Sequence, residues 1–188
     1  MKRPDTLFRR IVSREGAYAW VGWCLMPFGW LFGLIASIRR KWYESGNRQF
    51  RLPVPVISVG NIEVGGTGKT PVTIWLANRI AGMGYTVSVV ARNFGQRTNA
   101  CRVRLDNDDV RSNFTDEVLL LAESLIGRSS IYSGRSKKEA ATKAYRGEKP
   151  DIIIIDDGFQ HLQLYRDIEL VVLDFASPFG QGGILPSG

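Results

Sequence analysis

The feature that most limits what this chain can fold into is the run Gly60-Asn61-Ile62-Glu63-Val64-Gly65-Gly66-Thr67-Gly68-Lys69-Thr70, set between two elements of different period. After the Pro53/Pro55 punctuation, Val54 to Val59 (VPVISV) reads as a short buried strand, and Thr70 to Met83 has the apolar spacing of a helix. Strand, glycine-rich loop and helix in this order let successive backbone N–H groups converge on phosphate oxygens, with no Cβ atoms intervening at Gly65, Gly66 and Gly68. The pattern GxxxxGK[ST] is met at Gly68, Lys69 and Thr70, while Glu63 occupies the first glycine position and must point away from the nucleotide. The expected nucleotide-binding residues are therefore Glu63, Val64, Gly65, Gly66, Thr67, Gly68, Lys69 and Thr70. Lys69 would bridge the β- and γ-phosphates and the Thr70 hydroxyl would ligate Mg²⁺. A plain glycine-rich turn with an incidental lysine is the competing account, and it leaves the strand-to-helix context unexplained.

A second element is Asp151-Ile-Ile-Ile-Ile-Asp156-Asp157. Four consecutive isoleucines suit a parallel strand buried on both faces, and carboxylates at its carboxyl end lie where ligands bind in open α/β sheets. Asp156 and Asp157 are thus candidate Mg²⁺ ligands together with Thr70, since a hard cation prefers oxygen. The alternative is a strand ending in a solvated Asp-Asp-Gly turn. Thr86 to Ala91, Ser130 to Tyr132 and Ile168 to Leu173 also read as strands, the last as a further buried one, and Asp116 to Ile126 and Arg135 to Arg146 as helices. Alternation of this kind predicts an α/β fold: a P-loop NTPase-like, mainly parallel sheet with helices on both faces.

Charge separates the chain into two parts, expected as residues 1–51 and 52–188. The net charge of +7 resides wholly in residues 1–51, where ten basic residues face three acidic ones; from Leu52 onward the two kinds balance. A balanced body argues against a nucleic-acid partner, because phosphate contacts need a positive excess on the binding surface. Within the basic part, Ala17 to Ile38 runs 22 residues without a charge. As one helix it would extend roughly 33 Å, near the hydrocarbon thickness of a bilayer. Pro27, Gly22, Gly29 and Gly33 interrupt it, so an N-terminal membrane-anchor helix or a hairpin dipping into one leaflet both remain open. Basic flanks on both sides favour an anchor whose ends share one membrane face, with headgroup phosphates as their partners. A buried core hairpin and a cleaved signal peptide are the alternatives. Cys24 and Cys101 lack the spacing of a zinc site or a disulfide framework.

These strings together carry a resemblance. VISVGNIEVGGTGKTP (Val56 to Pro71), Arg92 after the second strand, Thr-Asp-Glu at 115–117, IIIDDGFQH (Ile153 to His161) and the closing VVLDFASPFGQGGILPSG resemble the tetraacyldisaccharide 4′-kinase family of lipid A biosynthesis. The resemblance implies transfer of the ATP γ-phosphoryl group to the 4′-hydroxyl of a membrane-embedded tetraacylated glucosamine disaccharide 1-phosphate. It implies ATP and Mg²⁺ as cofactors, a lipid substrate, and a position on the cytoplasmic face of the bacterial inner membrane, docked through residues 1–51. An acyl-chain substrate stays in the bilayer, which gives the apolar N-terminal segment a purpose.

Carried over by position, Asp116 falls on the family's catalytic aspartate and would orient or deprotonate the acceptor hydroxyl. The family string is Gly-Asp-Glu-Pro; here it is Thr115-Asp116-Glu117-Val118, and an acidic cap with a first turn suited to the helix dipole is the alternative reading. Arg92 lies in Ala91-Arg92-Asn93-Phe94-Gly95 where the family shows Ser-Arg-Gly-Tyr-Gly, and would stabilise charge on the transferring group. The substituted Asn93 tolerates left-handed backbone better than most residues. His161, the single histidine, would contact the phosphates or substrate from the DDGFQH string, as would Gln160. The expected catalytic set is thus Asp116, Lys69, Arg92 and His161. The family continues well past the point where this chain stops, which implies that its C-terminal part is lacking here. Two other functions remain in view. One is a membrane-associated partition-type P-loop ATPase, disfavoured because Val64 stands where that class carries a signature lysine. The other is a catalytically incompetent truncated remnant of the kinase.

Overall fold

The computed structural model describes residues 19–45, 49–62, 68–93, 99–105, 113–159 and 161–175. Expectations placed on Glu63, Val64, Gly65, Gly66, Thr67, Gln160 and residues 1–18 lie outside the described residues. Two compact units are present, Met1–Arg48 with Leu173–Gly188, and Gln49–Val172.

The first unit contains helix α1, Ala19–Ser45, which continues through Pro27 as one element. Among its described side chains, the large apolar ones exposed are Trp30, Leu31, Leu34, Ile35, Ile38 and Trp42. At helical spacing these six fall within an arc of about 140°. They form a stripe. Among the described residues, no helix is long and apolar enough to cross a membrane.

In the second unit the chain runs β1 (Val56–Asn61), α2 (Lys69–Ala81), β2 (Val87–Arg92), β3 (Cys101–Arg102), α3 (Asp116–Ser124), β4 (Ser130–Gly134), α4 (Lys137–Glu148), β5 (Ile152–Asp156) and β6 (Ile168–Val172). The sheet order is β3-β4-β2-β5-β1-β6. Every pairing is parallel except the short β3 against β4, a strand the sequence pattern did not reveal. The β-branched runs VISVGN, VSVVAR and IIIID supply the central strands, and their side chains divide between two cores as a period of two requires. Ile57, Val59, Val89 and Ile154 pack on one side against Ala77 of α2 and Val118, Leu121 and Ala122 of α3. Val56, Val90, Ile153 and Ile155 pack on the other side against Ala140, Ala141 and Ala144 of α4. The expected three-layer α/β arrangement is what forms.

Helix α4 starts at a serine cap. Ser136 is the N-cap, and its side chain accepts a hydrogen bond from the Glu139 N–H. The helix stops at Lys149, whose φ of 47° is left-handed, just before Pro150. Strand β6 departs from the buried strand expected for it. Among the described residues it pairs with β1 alone at the end of the sheet, and Ile168, Leu170 and Val171 are exposed.

Candidate functional site

Because the long strands are parallel, their carboxyl ends share one edge, and the chemistry-bearing residues collect there. Strand β5 inserts between β1 and β2, with Val59 of β1 opposite Asp156. This brings the helix-opening residues of the glycine-rich loop beside the paired carboxylates. Gly68 is the N-cap of α2 with φ 81°, a left-handed conformation that favours glycine, and Lys69 follows as the first helical residue. The Lys69 ammonium donates to Asn61 Oδ1 at 2.8 Å and lies 3.4 Å from Asp157 Oδ1. Thr70 sits half-buried in the same first turn.

The two aspartates have different settings. Asp156 is buried and accepts a 2.7 Å hydrogen bond from Thr73 Oγ1, a residue 83 positions earlier in the chain. Burial pushes its carboxyl up from the ordinary range; Asp157 and Glu117 add to the rise, while the Thr73 hydroxyl and Lys137 oppose it. Asp157 is half-exposed and sits at φ 51°, a left-handed position that turns the chain off the strand. Asp156 and Asp157 thus present carboxylate oxygens, the donor type that Mg²⁺ prefers, at the edge where α2 begins. Among the described residues, no group of three His, Cys, Asp or Glu is placed to hold a metal by itself.

Two residues that the sequence pattern did not single out brace this turn. Lys137, the first residue of α4, is 4% exposed and donates to the Asp157 carbonyl. The signal available for it was positional: it follows the carboxyl end of a parallel strand, yet Lys137-Lys138 reads as a solvated first turn. Arg166 donates to the carbonyls of Gly158 at 2.9 Å and Phe159 at 3.0 Å and pairs with Glu169 at 2.7 Å. Cations thus hold three consecutive carbonyls of the Asp157-Gly158-Phe159 turn. The His161 N–H donates to the Gly158 carbonyl at 2.9 Å, so the histidine belongs to the same turn.

On the other side of the edge, Arg92 is the exposed last residue of β2. Asp116 and Glu117 open α3; the N-cap is Thr115, so Asp116 occupies the first helical position and not the cap. Both charged elements face the centre electrostatically, since Glu117 bears on Asp156, and Arg92 on Lys137. Asn93 is buried, and its backbone is not left-handed: Lys149 and Asp157 are the non-glycine residues with positive φ among the described ones. Tolerance of left-handed backbone therefore does not explain the asparagine.

Burial lowers the Lys137 ammonium to about 8; Asp157 and Asp156 oppose that, and Arg92 and Lys69 reinforce it. A lysine whose folded value lies below the unfolded value of 10.5 costs the fold stability at neutral pH, and the loss is recovered as pH rises from about 8 to 10.5. The full penalty is about 3 kcal/mol. Denaturant unfolding of the wild type and Lys137→Met at pH 7.5 and 9.5 is expected to show the wild type gaining at least about 1 kcal/mol on the variant at the higher pH. A constant difference would remove the buried ammonium from this account.

Comparison with known proteins places this geometry. Residues 21–188 match the family described as tetraacyldisaccharide-1-P 4′-kinase. A curated relative, the tetraacyldisaccharide 4′-kinase of Aeromonas hydrophila subsp. hydrophila, is 41% identical over 167 residues, covering 88% of this chain and 50% of the relative. A crystal structure of LpxK from Aquifex aeolicus in complex with ATP superposes with a TM-score of 0.74 at 29% identity, covering 89% of this chain and 53% of that one. The chain spans about half the length of both. With the family match reaching from α1 through the nucleotide-loop helix and the Asp156-Asp157 turn, this chain belongs to the tetraacyldisaccharide-1-P 4′-kinase family.

Proposed function

We propose that the protein transfers the γ-phosphoryl group of ATP to the 4′-hydroxyl of the tetraacyldisaccharide 1-phosphate precursor of lipid A. The observation that carries this reading is the meeting of Lys69 with Asp157 and of Thr73 with Asp156 at one sheet edge, in a chain of this family. Phosphoryl transfer asks little covalent chemistry of a protein and much positioning of charge. Lys69 leaves its contacts with Asn61 and Asp157 for the β- and γ-phosphates, and the glycine-rich loop from Glu63 to Gly68 supplies N–H donors to them. Thr70, Asp156 and Asp157 would hold Mg²⁺, which when bound neutralises developing charge on the phosphate oxygens. Asp116 orients or deprotonates the acceptor hydroxyl, Arg92 stabilises the transferring group, and His161 hydrogen-bonds phosphate or substrate.

The membrane surface is the second partner in this reading. The exposed apolar residues Trp30, Leu31, Leu34, Ile35, Ile38 and Trp42, with Arg39, Arg40 and Lys41 set between the last two, support docking of α1 at the headgroup boundary. Docking there keeps the protein with its lipid acceptor on the cytoplasmic face of the inner membrane. Two measurements test the proposal. With γ-labelled ATP and the tetraacyldisaccharide 1-phosphate in mixed micelles, label is expected on the 4′-oxygen; ATP hydrolysis without lipid labelling would overturn transfer. Removal of residues 1–48 is expected to move the protein from the membrane pellet to the supernatant. The cut stops there because Phe50 already pairs with Leu164 of the second unit. Retention in the pellet would refute the role of α1.

A further inference from the structure

We infer that Asn93 is a positioning residue that sets Asp116, by clamping the turn that opens α3 to the end of β2. The inference rests on the reading of Asp116 as the group that handles the acceptor hydroxyl. Asn93 is itself fixed to the sheet, because its N–H donates to the Gly134 carbonyl at 3.2 Å and so extends the pairing of β2 with β4 by one residue. Its side chain, on a residue only 2% exposed, uses both ends of the amide on one short segment. Nδ2 donates to the Asn113 carbonyl at 2.7 Å, and Oδ1 accepts from the Thr115 N–H at 3.2 Å. Asp116 is the next residue.

The N-cap residue itself does not hold that end of the helix. Thr115 makes no side-chain capping bond, and the Thr115 hydroxyl finds no hydrogen-bond partner among the described residues. The start of α3 is therefore located from outside, by an amide anchored to the strand that ends in Arg92. Only a side chain that donates and accepts together satisfies both groups. Alanine leaves a carbonyl and an N–H unmet in a buried place, and aspartate turns a carboxylate oxygen against the Asn113 carbonyl. Either change lets the turn shift, and a displacement near 1 Å at a reacting group lowers turnover by about 100-fold.

A positioning role differs from a general brace in one measurable respect. If Asn93 acts through Asp116, its removal loses its effect once the Asp116 carboxylate is gone. Asn93→Ala is expected to lower kcat by about 10- to 100-fold with the dissociation constant for ATP within about 2-fold of wild type. In the Asp116→Asn background the same substitution is expected to change residual turnover by less than about 2-fold. Equal losses in both backgrounds, or no loss in either, overturn the inference. Wild-type turnover in Asp116→Asn alone instead overturns the reading of Asp116, and the single variant tells the two failures apart. Amide exchange on the 188-residue chain gives a result independent of turnover. Thr115 to Val118 are expected to exchange about 10-fold faster in Asn93→Ala while Ala140 to Ala144 do not change, and unaltered exchange at Thr115 refutes the clamp.

Discussion

Lys69→Ala is expected to lower phosphoryl transfer by about 100- to 1,000-fold, as loss of a preorganised charge at the reacting group does. Two observations support an effect of this size. Lys69 is the first residue of α2, directly after a left-handed Gly68, so its backbone position is set by the start of the helix. Its ammonium is already directed at the carboxyl edge by Asn61 at 2.8 Å and Asp157 at 3.4 Å, so little reorganisation is needed when phosphates take their place. Alanine leaves the phosphates without that cation and removes the partner of Asp157 near a second carboxyl, Asp156. The measurement is label transfer from ATP to the lipid at saturating acceptor, with nucleotide affinity determined separately. Turnover equal to wild type would sink the assignment of the nucleotide loop.

Gly158→Ala is expected to destabilise the second unit by about 3 kcal/mol, the upper part of the range for overpacking. A Cβ at Gly158 would lie 2.3 Å from Ser58 Oγ and 3.0 Å from Ile155 Cγ2. Neither neighbour has room to move, since Ser58 is 1% exposed and Ile155 fully buried. The backbone cannot slide away either: the Gly158 N–H is bonded to the Val59 carbonyl at 3.0 Å, and its own carbonyl accepts from Arg166 at 2.9 Å. In thermal unfolding the midpoint is expected to fall by about 6–12 °C. Ser58→Ala in the same chain removes the closest clash and recovers part of the loss. An unchanged midpoint in Gly158→Ala would show that the turn is not packed as described.

Strong local signals carried much of this architecture. Four adjacent isoleucines, β-branched runs at β1 and β2, and a glycine-rich loop between strand and helix each specify an element regardless of what lies beside it. Element ends agreed within a few residues. Two misses share one physical origin. Strand β6 has the composition of a buried strand, yet exposure depends on what covers its edge and faces, and among the described residues β6 pairs with β1 alone and leaves Ile168, Leu170 and Val171 exposed. Lys137 has the charge of a solvated residue, yet the Ser136 cap starts α4 beside the end of β4, which turns that lysine inward. Asn93 misled for a different reason. Its backbone tolerance was the property visible in isolation, whereas its side chain serves a segment 20 residues further on.

By itself, the sequence determined most of the elements, the α/β class and the separation in charge of a basic apolar N-terminal segment from a balanced body. These follow from periodicity, glycine spacing and charge, which are properties of neighbours in the chain. Only the tertiary structure decided that β5 lies between β1 and β2, and so that Asp156 meets Thr73 and Asp157 meets Lys69. It alone brought Lys137 and Arg166 to the carbonyls of the Asp157-Gly158-Phe159 turn and Asn93 to the segment that opens α3. Strand order is set by how two apolar faces are covered at once, with α2 and α3 on one side and α4 on the other. That is a condition on the whole sheet, and no single segment contains it.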